Sequence, residues 1–204
     1  MSHIGDLTRL QAVNTALSAV GQSPVATLGS GDNALATMAE NLLLQVEREV
    51  QARGWWFNTE TDVDFTPNSS DEVELGDDYF HVDSHNPKDD FVKRGNRLYD
   101  MKEHSFTTFT GDTVALDVIQ AVEWLDTPVL FRAYCEARTA RKLIERYLAD
   151  RVMIAAALGE EAEAMKALVT EDSRMADHNF LSGNAERWVS LNYGGNGAIE
   201  RRLV

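Results

Sequence analysis

Apolar residues return every third or fourth position in the first part of the chain. Leu10, Val13, Leu17 and Val20 share one helical face, so a helix is expected from about Thr8 to Val20, closed by Gly21. Ser23-Pro24 reads as a loop. A second stripe, Leu35, Met38, Leu42, Val46 and Val50, predicts a longer helix capped by Asp32 and running to about Arg53. At this length it spans about 33 Å. Gly54 stands where such a helix ends.

From Trp55 to about Val122 the helical period disappears and turn signals replace it. Gly95-Asn96 lies between FVKR and RLYD, and Gly111-Asp112 between SFTTFT and TVALDVIQAV. Both read as two-residue links of β-hairpins. Val114, Leu116 and Val118 alternate as a half-buried strand does, and Asn86-Pro87 marks another loop.

Helical spacing returns after Thr127, a candidate cap, with Pro128 in the first turn. The expected inward stripe is Leu130, Tyr134, Ala137, Ile144 and Leu148. Gly159 reads as a break before a last helix from Glu160 to about Asn179, carrying Ala162, Met165, Leu168, Val169 and Met175. The remainder is Gly-rich, with isolated apolar anchors.

The expected fold class is therefore α+β: a four-helix bundle with a β-rich insert between the second and third helices and an extended C-terminal tail. The bundle is discontinuous, residues 1–54 and 123–180, with the insert at 55–122 and the tail at 181–204. The consecutive rings of Trp55, Trp56 and Phe57 fall at the crossing from bundle to insert, where their buried area would fix the angle between the two parts.

Charge narrows the function. The net charge is −14 with a pI near 4.7, which disfavours a sequence-reading DNA binder, because phosphate contacts need Lys and Arg. A surface that lets DNA slide past without sticking suits it. The lone Cys135 leaves no internal disulfide and no Cys-based zinc site. No apolar run approaches the roughly 18 residues of a membrane span, and MSHIGDLTRLQ has neither the basic nor the apolar region of a secretion signal.

Candidate chemistry is sparse. Gly29-Ser30-Gly31-Asp32-Asn33-Ala34 fits the dinucleotide pattern formally, but a helix precedes it where a strand is required. His81, Asp83 and His85 would share one face of a strand, an arrangement that suits a metal or a solvated surface. Eleven acids lie between Glu60 and Asp90 against the single Lys88. A glycan hydrolase using an acid such as Glu72 or Asp78, with the tryptophans as a sugar platform, is the alternative function. No catalytic, cofactor-binding or metal residues are assigned. The helix after Pro128 is basic, with Arg132, Arg138, Arg141, Lys142, Arg146 and Arg151. An acidic insert and a basic helix on one chain suit head-to-tail self-association, with Arg138 and Arg141 as candidate contacts.

The segment AVNTALSAVGQSPVATL and the later QARGWWFN carry a resemblance. Ala12, Val13, Asn14, Leu17, Val20, Gly21, Pro24, Val25, Thr27 and Leu28, then Gln51, Arg53, Gly54, Trp55, Phe57 and Asn58, match the pattern of the tail tubular protein A family of T7-like podoviruses. The resemblance is tightest over about the first 60 residues. It implies a head-to-tail adaptor of the virion tail, made in the host bacterial cytoplasm. It further implies a twelve-fold ring joining the portal protein to the tail nozzle (tubular protein B), with tail-fibre bases nearby and DNA passing through. It implies no cofactor, no membrane and no catalytic residues. The bundle side with the tail would meet the portal and the β unit the nozzle. Since interface cores favour Trp, Tyr and Arg, Trp188, Tyr193, Arg201 and Arg202 are the candidate anchors on the tail.

Overall fold

The structure is a computed structural model that describes residues 7–29, 33–111 and 113–180, with side chains as far as residue 175. Among the described residues it is α+β, with four α-helices and two small antiparallel sheets.

Local chemistry sets the first helix. Thr8 opens α1 (Arg9–Ala19) with a reciprocal cap: its hydroxyl accepts from the Gln11 N–H at 3.2 Å, and its own N–H donates to Gln11 Oε1 at 2.9 Å. At the other end Gly21 takes φ 73°, and the N–H groups of Gly21 and Gln22 return to the carbonyls of Ser18 and Leu17. Asn14 then pins the following loop, donating to the Val25 carbonyl at 3.0 Å and accepting from its N–H at 2.8 Å. Helix α2 (Ala34–Gln51) is capped by Asn33, not by Asp32, which lies outside the described residues. Asn33 Oδ1 accepts from Leu35 and Ala36, both at 3.0 Å.

Strand β1 (Thr59–Phe65), β2 (Tyr79–Ser84) and β5 (Val114–Gln120) form one sheet in the order β1-β5-β2. Strands β3 (Phe91–Arg94) and β4 (Arg97–Asp100) form the hairpin expected around Gly95, which sits at φ 62°. β3 lies against β2. The hairpin expected at Gly111-Asp112 is absent among the described residues, where β5 pairs with β1 and β2. Residues 105–110 are committed elsewhere: Ser105 bridges Asp100, Phe109 fills the β core and the Phe109 N–H donates to the Asp71 carbonyl. β5 is buried on both faces, since Asp117 and Ile119 are as enclosed as Leu116 and Val118.

The entry to α3 (Val129–Tyr147) also departs from expectation. Pro128 is the cap residue, and the Thr127 hydroxyl donates instead to the Trp124 carbonyl at 2.7 Å. The last helix, α4 (Arg151–Phe180), runs straight through Gly159. The break lies earlier, at Ala149, which takes φ 54°, and Asp150 Oδ1 caps α4 through the N–H groups of Val152 and Met153. A glycine inside a helix costs only about 1 kcal/mol, too little to end one this long.

α1, α2 and α3 pack on one another, and α4 lies along α3. Helix α3 therefore buries a wider face than the expected stripe: Phe131, Cys135 and Leu143 join Tyr134 and Ile144, whereas Leu148 is exposed. On α4 only a narrow seam is covered, centred on Ala157 and Leu168, and Ala162, Val169 and Met175 stay exposed. Leu17, Leu42, Leu43, Val46, Phe131, Leu143 and Leu168 form the helical core; Val73, Leu75, Val82, Leu98, Phe109, Leu116 and Val118 form a separate β core.

Candidate interaction surfaces and the junction that positions them

The two cores meet at QARGWWFN. Trp55 is 3% exposed and belongs to the helical core, and its indole N–H donates to the Val50 carbonyl at 2.7 Å. Phe57 packs edge-on against both Trp56 and Phe131. Trp55 is thus closed off from any sugar, and the aromatic run seals the crossing. The polar residues between are joints. The Gln51 amide clasps the backbone of Val122, donating at 2.9 Å and accepting at 2.7 Å. Buried Asn58 accepts from the Trp55 N–H at 2.8 Å and donates to the carbonyls of Gln51 and Gln120, both at 3.0 Å. Gly54 sits at φ 75°, where an added Cβ would stand 2.7 Å from Ile119 Cδ1.

Gly54→Ala therefore combines a left-handed backbone with overpacking. It is expected to cost about 2–4 kcal/mol in urea unfolding, and Ile119→Val in the same chain should recover part of the loss by removing the clashing methyl. No recovery would mean that the backbone conformation alone sets the cost.

α4 reaches the junction through Asp172, whose Oδ1 accepts from the Trp56 N–H at 3.1 Å. Burial pushes the Asp172 carboxyl above its ordinary range, and the Trp56 hydrogen bond only partly opposes this. A carboxyl raised in the fold weighs against stability once pH exceeds its folded pKa, and the penalty vanishes below the unfolded value of about 3.9. Asp172→Asn, which keeps the acceptor, is expected to raise stability at pH 7. The gain should shrink to nothing in melts near pH 3; a gain independent of pH would contradict the assignment.

The basic helix is knitted into the fold. Arg138 bonds the Tyr134 hydroxyl at 2.9 Å and Glu49 at 3.1 Å, and Lys142 reaches the same carboxylate at 3.0 Å. The Lys142 hydrogen bond holds the Glu49 carboxyl below its usual range. Arg141 pairs with Glu145 at 2.6 Å and with Glu161. The structure thus brings Arg138 and Arg141 together, in pairs that tie α3 to α2 and α4. Trp188, Tyr193, Arg201 and Arg202 lie outside the described residues.

The strand places His81 in solvent, while His85 Nδ1 sits 2.7 Å from Asp117 Oδ1. The same oxygen accepts from the Asp62 N–H at 3.1 Å, where β1 bulges and Asp62 takes φ 61°. This carboxylate stitches sheet to loop. Among the described residues no group of three or more His, Cys, Asp or Glu is placed to hold a metal. Glu72, a candidate acid for hydrolysis, is paired with Arg97 at 2.7 Å. The residues of the formal dinucleotide pattern serve as a loop and helix cap, with 30–32 outside the described residues.

One surface escaped the reading of the sequence. On the hairpin, the Arg94 guanidinium lies 3.6 Å from the Tyr99 ring centre and that of Arg97 4.2 Å from Phe106, with the two rings edge-on at 4.8 Å. The signal was present in KRGNRLYDMK, which holds four cations and one acid in an otherwise acidic region.

The hairpin thus carries a cationic aromatic face and β1 an exposed acidic edge, and the Gln51 and Asn58 hydrogen bonds join the helical core to the β unit. The tail tubular protein family model matches residues 10–178, and the chain belongs to that family. It is a structural protein of the phage tail, as the resemblance in Ala12–Asn58 implied. No curated protein matches the chain. No helix among the described residues is long and apolar enough to cross a membrane.

Proposed function

We propose that the chain is the subunit of a twelve-fold adaptor ring that joins the portal protein to the tail nozzle and lines part of the DNA ejection channel. The observation that carries this is membership of the tail tubular protein family over nearly all of the described residues. The architecture supports it. Separate helical and β cores give one subunit two distinct bodies, a helical unit read as a bundle interrupted by the β-rich insert. The helical unit and tail meet the portal, the β unit meets the nozzle (tubular protein B), and tail fibres attach nearby. Trp188, Tyr193, Arg201 and Arg202 are the proposed anchors on the tail. Arg138 and Arg141 are those on the helical face, where they also hold α2, α3 and α4 together. The net charge of −14 suits a channel that DNA traverses without sticking.

Truncation after Leu181 tests the assignment of the tail. The shortened chain is expected to melt as the full one does, because every described core residue precedes the cut. Its attachment to portals should fall by about a hundredfold, the scale of losing two or three interface anchors. Normal particle assembly by the truncated chain would refute it.

A further inference from the structure

We propose that the outer face of the β3–β4 hairpin docks on the acidic edge strand β1 of a second copy of this chain, so that neighbours in the ring engage head to tail through their β units. This rests on the ring-adaptor reading above and assigns the contact that reading leaves open.

The hairpin register sets Arg94 directly opposite Arg97, and Val92 opposite Tyr99. In a two-stranded ribbon these four share one face, while Leu98 and Asp100 turn inward and are buried. Like charges directly across a ribbon destabilise it, and here both are kept on the exposed side. Arg97 has a partial partner in Glu72. Arg94 has no carboxylate partner among the described residues; its guanidinium lies over Tyr99 and touches the Met101 sulfur at 3.3 Å. The stack Arg94–Tyr99–Phe106–Arg97 is already formed within the subunit, and a preformed face loses less entropy on binding. Arginine with tyrosine is also the composition of interface hot spots.

The complementary surface lies on the other sheet of the same unit. β1 and β2 flank β5 in the three-stranded sheet, and β3 of the hairpin lies against β2. β1 is an edge strand, and its Glu60, Asp62 and Asp64 are exposed. Within the subunit the described ion pairs join neither hairpin arginine to Glu60, Asp62 or Asp64, and Arg97 pairs with Glu72 instead. Between copies the two surfaces make a heterologous contact, which closes into a ring when its rotation permits. On the basic helix Arg138, Arg141 and Lys142 are already matched by Glu49, Glu145 and Glu161, which leaves them less free charge for this purpose.

Charge exchange in assembled particles tests the contact. Arg94→Glu, and separately Glu60→Lys with Asp64→Lys, should each lower the yield of ring-bearing particles by at least about tenfold, because like charges then face each other across the contact. All three changes in one chain should restore the yield to within about threefold of the natural chain. Melting of each isolated variant shows that it folds; if Arg94→Glu does not, Arg94→Gln replaces it, with a smaller loss that salt leaves unchanged. Normal rings in Arg94→Glu particles would overturn this contact and leave the adaptor reading standing. A defect that the acid-to-lysine changes fail to rescue would place a different protein on the hairpin and equally overturn it. If the natural chain forms no ring on portals, the adaptor reading itself fails.

Discussion

Trp55→Ala is expected to lower the unfolding free energy by about 4 kcal/mol, the cost of emptying a fully enclosed indole site. For a domain of this size that moves the melting temperature by about 8–16 °C. Packing and hydrogen bonding at Trp55 can be measured apart. Trp55→Phe keeps most of the packing but loses the bond from the indole N–H to the Val50 carbonyl, and so should cost about 1–2 kcal/mol. Urea titration of both variants checks this. If the two cost the same, packing at Trp55 contributes little and the aromatic seal is misassigned.

Asn58→Ala should cost about 3–5 kcal/mol, because it leaves a buried N–H at Trp55 and carbonyls at Gln51 and Gln120 short of a partner. The distribution of the loss matters as much as its size. Asn58 links the end of α2 to the end of β5, so its removal should loosen the joint before either core. Hydrogen exchange should quicken at the Trp55 and Gln120 amides while amides in the middle of α2 and β5 keep their protection. Asn58→Asp keeps the acceptor for Trp55 but turns a carboxylate toward two carbonyls, and should be at least as damaging. Uniform loss of protection across the chain would mean that the two cores unfold as one unit.

The residues that carry the family resemblance build these joints. Asn14 and Val25 bond to each other, Gly21 closes α1, and Gln51, Gly54, Trp55, Phe57 and Asn58 build the crossing. Each has a structural task that few other residues could perform.

Features with a local cause were legible in the chain. The capping of α1, the stripe of α2 and the Gly95 hairpin follow from short-range spacing and turn chemistry. Glycine marked the ends of α1 and α2 and the β3–β4 turn, but not the break before α4 or a hairpin at Gly111. Ala149 turns the chain between α3 and α4 without a glycine, while Gly159 lies inside α4. Gly111 precedes a strand whose partners lie far off in sequence. The same distance hid the state of the charges. Glu49 is 89 residues from Arg138, so cations that read as a free basic face, Arg138, Arg141 and Lys142, are matched by acids brought to them by folding. The hairpin cations, by contrast, have a neighbourhood made by local pairing, and only the stacking of arginine on ring needed the structure to become visible.

The central claim is that this subunit exists to form a ring between portal and nozzle. Electron microscopy of the purified protein mixed with its portal tests it most directly. A closed ring of twelve copies, coaxial with the portal and presenting the β units away from it, is expected. Folded protein that stays apart from the portal, or binds it without closing a ring, would contradict it.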